Sequence, residues 1–103
     1  MALTRDFRET VQVRVREDQK FRRGLLTDAV EALLAGEAPL GREILRDFIN
    51  ATVGFPALAE QTGIHVKTLH QMFGPRGNPT AVNLFRIIAC LQEYEGVRLQ
   101  VVA

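Results

Sequence analysis

Tryptophan is absent from this chain of 103 residues, which also has only one tyrosine and one cysteine. Stacking of nucleic-acid bases on aromatic side chains is therefore not expected as a mode of action. Cys90 cannot form a disulfide within the chain and lies inside an apolar run, so we interpret it as a buried structural thiol in a reducing compartment. The chain also lacks an apolar signal core and any run near the ~20 apolar residues needed to span a bilayer. These absences predict a cytoplasmic protein with no membrane partner.

Charge of either sign is nearly balanced, since 13 Lys and Arg residues face 12 Asp and Glu residues and the net charge is +1. Net charge alone therefore does not indicate a nucleic-acid partner. The distribution is less even. Residues 27–53 are acidic, whereas residues 54–86 carry more basic than acidic side chains: Lys67, Arg76 and Arg86 against Glu60. Residues 1–26 are basic as well, so a DNA-facing second half would be only modestly positive and charge gives a weak signal for it.

Apolar residues recur at helical spacing along most of the chain. In the first half, one predicted helix follows Asp18 as its N-cap and ends at Gly36, and the next begins at Pro39 and ends near Gly54. We interpret both helices as a scaffold, because their apolar stripes are typical of a core. Residues 4–16 are ambiguous: valines at alternate positions indicate a strand, whereas Phe7, Val11 and Val15, spaced by four, favour a helix. Helix is the favoured interpretation.

In the second half, Pro56 begins a short helix that Gly63 ends, and a second short helix runs from Val66 to Phe73. After a loop dense in turn residues, Thr80 caps a final helix. Gly54 is the natural boundary, which gives an N-terminal helical scaffold (1–53) and a C-terminal functional region (54–103), both expected within one compact domain.

Beyond the last helix, Val97, Leu99 and Val101 alternate with polar residues and predict a short C-terminal β-strand. A lone strand leaves its backbone groups unpaired, so it needs a partner. A second copy of the chain is the favoured partner, and the sequence therefore predicts a homodimer through this strand. Pairing with residues 11–15 of the same chain is the alternative.

Residues 55–73 match the mechanics of a helix-turn-helix, in which two short helices cross steeply through a tight turn. Ala59 supplies the small side chain where the helices approach, and Gly63 supplies a residue that tolerates positive φ. Apolar residues that would hold both helices to the body fall at suitable offsets: Leu58, Ile64, Leu69 and Met72. An ordinary helical hairpin is the competing interpretation.

If the apolar residues of the second helix point inward, six side chains remain outward: His65, Val66, Lys67, Thr68, His70 and Gln71. Four of them suit the floor of a DNA major groove: Val66, Lys67, His70 and Gln71. His65 and Thr68 suit phosphate contacts, as does Arg76 in the following loop. Asn78 in the same loop either organises the turn or meets a phosphate.

The same positions argue against an enzyme. His65 and His70 are five residues apart and do not share a helical face, and Glu60 is the only acidic residue nearby. We therefore expect no catalytic residues, no metal and no cofactor.

These segments carry a family resemblance. Residues 54–63 (GFPALAEQTG), 69–75 (LHQMFGP), 77–80 (GNPT) and 96–101 (GVRLQV) resemble phage-repressor and Cro-like regulators, and more closely their addiction-module antidote branch. The resemblance covers about residues 40 to 101. Relatives often carry arginine where this chain has Gln71.

The resemblance implies an all-α, lambda-repressor-like fold of five to six helices, here with an N-terminal helical extension and the short C-terminal strand. It also implies a dimeric bacterial transcriptional regulator or repressor that binds double-stranded operator DNA. The alternative function is an antitoxin that grips a toxin protein and represses its own operon. A degenerate domain that makes only protein contacts is a third hypothesis.

Overall fold

The computed structural model describes Thr10, Val13, Arg14 and residues 17–103. All regular secondary structure in this part of the chain is helical: α1 (Gln19–Leu34), α2 (Ala38–Ala51), α3 (Phe55–Thr62), α4 (Val66–Met72) and α5 (Ala81–Glu95). The predicted all-α class is confirmed at that level. None of these helices combines the length and the apolar character needed to cross a membrane.

The chain divides into two compact units, one ending at Thr52 and the other comprising Val53–Ala103. In the first unit, helical structure is present at all three positions described within residues 4–16, namely Thr10, Val13 and Arg14. Helix is thus confirmed over strand at these positions, and the rest of that prediction lies outside the described residues.

In the first unit, α1 begins as predicted at Asp18, whose Oδ1 accepts the backbone N–H of Phe21 at 3.0 Å. Its buried face packs against α2, with Leu26 and Ala29 on α1 and Phe48 on α2 fully buried. Gly41 of α2 permits the close approach, because a Cβ there would lie 2.7 Å from the side chain of Leu33. The two helices form a hairpin with its own small core.

In the second unit, α3, α4 and α5 enclose a core that includes Phe55, Leu58, Leu69, Ile87 and Leu91, all buried. Helix α5 begins at Thr80, whose hydroxyl accepts the N–H of Asn83 at 3.2 Å, as its capping role predicts. It ends at Gly96, where φ is +71°.

The predicted C-terminal strand is wrong for the chain as described, because residues 97–103 form no regular structure. The tail turns back onto α5 instead. Gln92 accepts the N–H of Val97 on its backbone oxygen at 3.0 Å and the N–H of Leu99 on its Oε1 at 2.8 Å. Val97 and Leu99 are half-buried, and Arg98 and Gln100 between and after them are exposed. The alternation of burial therefore holds through Gln100 but not at Val101, which is 84% exposed, and the tail bonds to Gln92 of α5 instead of to a second strand.

Candidate nucleic-acid interface

The turn between α3 and α4 is set by Gly63, which has φ +73° and ψ +12° and donates its N–H to the carbonyl of Ala59 at 2.9 Å. A Cβ at this position would meet no atom within 4 Å. Glycine is therefore required here by the left-handed backbone conformation and not by lack of space.

The side-chain hydroxyl of Thr62 stabilises this turn through two hydrogen bonds. Its buried hydroxyl donates to the carbonyl of Leu58 at 2.7 Å and accepts the N–H of Ile64 at 3.3 Å. One side chain thus ties the last turn of α3 to the residue that leads into α4. Thr62 is not among the residues predicted from the sequence, although a threonine directly before the turn glycine can indicate such bonds.

His65 begins α4. Its Nδ1 accepts the backbone N–H of Lys67 at 3.1 Å, so the imidazole acts as the N-cap. Because Nδ1 is the acceptor, the neutral ring carries its proton on Nε2. The sequence predicts only a phosphate contact for His65, so this capping role is a finding of the structure.

The inward face of α4 is the one predicted. Ile64, Leu69 and Met72 are buried, as is Leu58 on α3. These contacts hold α4 against the core of the second unit through one face only.

The outward face holds the candidate DNA-reading side chains. Five of the six are exposed, namely His65, Lys67, Thr68, His70 and Gln71, whereas Val66 is half-buried. The short helix and its cap residue therefore present a cation, a hydroxyl, an amide and two imidazoles to solvent.

His70 is the least free of these side chains. Its ring lies 4.6 Å from the ring of Phe55, centroid to centroid, with the planes inclined at 38°. Phe55 also contacts Phe73, at 5.8 Å between centroids. Phe55, the first residue of α3, thus supports the outer face of α4, a role not predicted from the sequence.

The loop after α4 places two further candidates, Arg76 and Asn78, and both are exposed. Gly77 between them lies against the end of α4: a Cβ there would collide with the carbonyl oxygen of Met72 and lie 2.6 Å from that of Gln71. The Gly77 N–H also donates to the carbonyl of Gly74 at 3.0 Å. The loop is therefore held at the C-terminal end of α4, next to the outward side chains of that helix.

The arrangement places hydrogen-bond donors and acceptors side by side on the exposed face of one short helix. Among the residues described, no group of three or more His, Cys, Asp and Glu side chains is placed to hold a metal ion.

In comparisons with known proteins, the chain matches no family model, no curated protein and no solved structure.

Proposed function

We propose that the chain is a sequence-specific DNA-binding regulator with a lambda-repressor-like helix-turn-helix, which inserts α4 into the major groove and binds operator DNA as a homodimer. One observation carries the proposal. A left-handed glycine joins two short helices; Ile64, just before the second helix, and Leu69 and Met72 on it are buried, while the polar side chains between them are exposed. A tight turn followed by a helix that is buried on one face only is the arrangement that a DNA-recognition helix requires.

The exposed side chains have defined partners in this proposal. The Gln71 amide pairs with the N6 and N7 atoms of adenine, and the Lys67 ammonium donates to guanine. Arg76 and Asn78, held at the end of α4 by Gly77, contact the phosphate backbone and set the register of the helix. Val66 is half-buried and has less surface left for a thymine methyl group.

The test uses operator DNA selected from random duplexes and from the region upstream of the chain's own gene. Replacement of Lys67 or Gln71 by alanine is expected to cost about 1–3 kcal/mol of specific binding, because each removes a base contact. Fluorescence anisotropy titrations measure this loss, and far-UV circular dichroism melts should show unchanged stability, because both side chains are exposed.

Lys20 and Gln19, both exposed on α1, provide matched controls, because Lys20→Ala and Gln19→Ala remove the same chemical groups from a helix of the first unit. Their effect on discrimination between operator and scrambled duplex should be negligible. Salt-insensitive binding, or full operator affinity in both α4 variants, would refute the proposal.

A second function, that of an antitoxin, is favoured by the separate first unit. This helical hairpin contains none of the candidate reading residues and exposes Leu34 and Leu40 on either side of its turn. A partner protein that covered both leucines would remove this apolar surface from water. If the product of a neighbouring reading frame arrests growth, the chain should relieve the arrest, and Leu34→Arg should abolish that relief without weakening operator binding.

A further inference from the structure

Helix α5 has an exposed apolar row opposite its core face. Val82 is 69% exposed and Phe85 is 64% exposed, and the exposed Ala89 continues the row one turn further on. The core face of the same helix is buried through Ile87 and Leu91. Side chains three, four and seven residues apart lie along one side of a helix, so these residues form a continuous apolar row.

Two residues of opposite charge lie beside this apolar row, and their spacing allows them to pair between two copies of the helix. Arg86 and Glu93 are both exposed, and since they are seven residues apart they lie on the same side of α5, about 10 Å from each other along the axis. A two-fold axis near Ala89 would set two such helices antiparallel and bring each Arg86 opposite the Glu93 of the other copy. Two-fold contacts use the same patch on both copies, and this patch satisfies that condition.

The small side chain of Ala89 falls at the centre of that arrangement, where it lets two helices come within the usual 8–10 Å or so. Val82 and Phe85 then extend past the charged pair towards the C-terminal tail of the other copy. Val101 and Val102 in that tail are 84% and 86% exposed. The apolar row and the tail thus supply each other with cover that neither receives from the part of the chain that the structure describes.

We propose that the α5 strip, defined as Val82, Phe85, Arg86, Ala89 and Glu93, is the surface through which two copies of this chain associate. The inference rests on the homodimer of the proposed function and names its interface. It replaces pairing of two C-terminal strands with an antiparallel helix pair to which the tails add apolar contact. A single pair of helices covers less than the ~800 Å² per partner of a standard interface, so a reversible dimer is expected.

A charge exchange tests the proposal without DNA. Sedimentation equilibrium should show a reversible dimer for the unmodified chain. Arg86→Glu and Glu93→Arg should each weaken dimerisation about tenfold or more, because like charges then face each other. The double variant should recover most of the affinity, because the two charges are exchanged and meet again.

A second pair of variants separates the strip from the rest of α5. Phe85→Lys should disrupt the dimer, whereas Tyr94→Lys should not: Tyr94 is also exposed, at 49%, but lies half a turn around the helix from Phe85 and more than a third of a turn from Ala89. Far-UV circular dichroism confirms that each variant keeps its helices.

Three outcomes overturn the proposal: a monomer at all concentrations, single charge variants that dimerise normally, or a double variant that does not recover. These outcomes leave DNA binding separately testable, because a monomer that still binds a half-site with salt dependence preserves the reading function. Conversely, a dimer that responds to the charge exchange but binds no duplex supports the interface and refutes the regulator.

Discussion

Replacement of Thr62 by valine should loosen the turn between α3 and α4. Valine keeps the branched shape of the side chain but removes both hydrogen bonds of the hydroxyl, the one to Leu58 at 2.7 Å and the one from Ile64 at 3.3 Å. The Ile64 N–H then loses its bond to that hydroxyl in a buried setting, which costs about 1–3 kcal/mol. Because the 3.3 Å bond is long, we expect the lower part of that range, about 1–2 kcal/mol.

For a domain of this size, about 1–2 kcal/mol corresponds to a fall of about 4–15 °C in Tm. Thermal melts followed by far-UV circular dichroism measure it, and calorimetry shows whether the two units unfold together. Thr62→Ser is the matched control, since serine keeps the hydroxyl and loses one methyl group. If Thr62→Val melts like the unmodified chain, or if Thr62→Ser falls as far as Thr62→Val, the hydroxyl does not fasten the turn.

Three other perturbations follow from local geometry. Gly77→Ala should destabilise the second unit by about 1–3 kcal/mol, because the new Cβ meets rigid carbonyl oxygens at the end of α4; an unchanged urea midpoint would contradict this. His65→Ala should lower stability by about 1 kcal/mol through loss of the N-cap, whereas His65→Asn should restore it; equal melts for both variants would show that the cap contributes nothing. Burial and, secondly, the charge of Glu93 raise the pKa of Cys90 above its ordinary value. Alkylation by iodoacetamide should therefore be slower than that of free cysteine at about pH 8.5, and Glu93→Gln should shift its pH profile downward; a profile like that of free cysteine would contradict this.

Features governed by neighbouring residues could be predicted from the sequence. The caps at Asp18 and Thr80 each use a side-chain oxygen to accept an N–H three residues ahead, and the left-handed turn at Gly63 depends on one residue's backbone. The inward set on α4 followed from spacing alone, because 3.6 residues per turn fixes which side chains share a face.

The remaining features depend on tertiary packing or on uncommon roles. Histidine is not among the usual N-cap residues, so His65 carried no capping signal. The need for glycine at position 77 comes from the end of another element, which spacing does not reveal. Alternation of apolar and polar residues at the C-terminus predicts a strand, because it indicates two faces of an extended segment. It does not indicate which group bonds to the backbone of that segment, and here that group is Gln92 of α5.

The charge of the candidate interface links the two proposals. In residues 63–80 the permanent cations are Lys67 and Arg76 alone. If Lys67 reads a base, one copy neutralises few phosphates, and each phosphate contact contributes only about 0.9 to the slope of log affinity against log salt. A single copy would then bind weakly and with shallow salt dependence.

Two copies joined through the α5 strip double those contacts on one duplex, and the second contact forms at high effective concentration. Operator binding should therefore rise steeply with protein concentration near the dimer Kd, and Arg86→Glu should flatten that rise although residue 86 lies outside α4 and its loop. Equal steepness in both proteins would mean that the copies bind DNA independently.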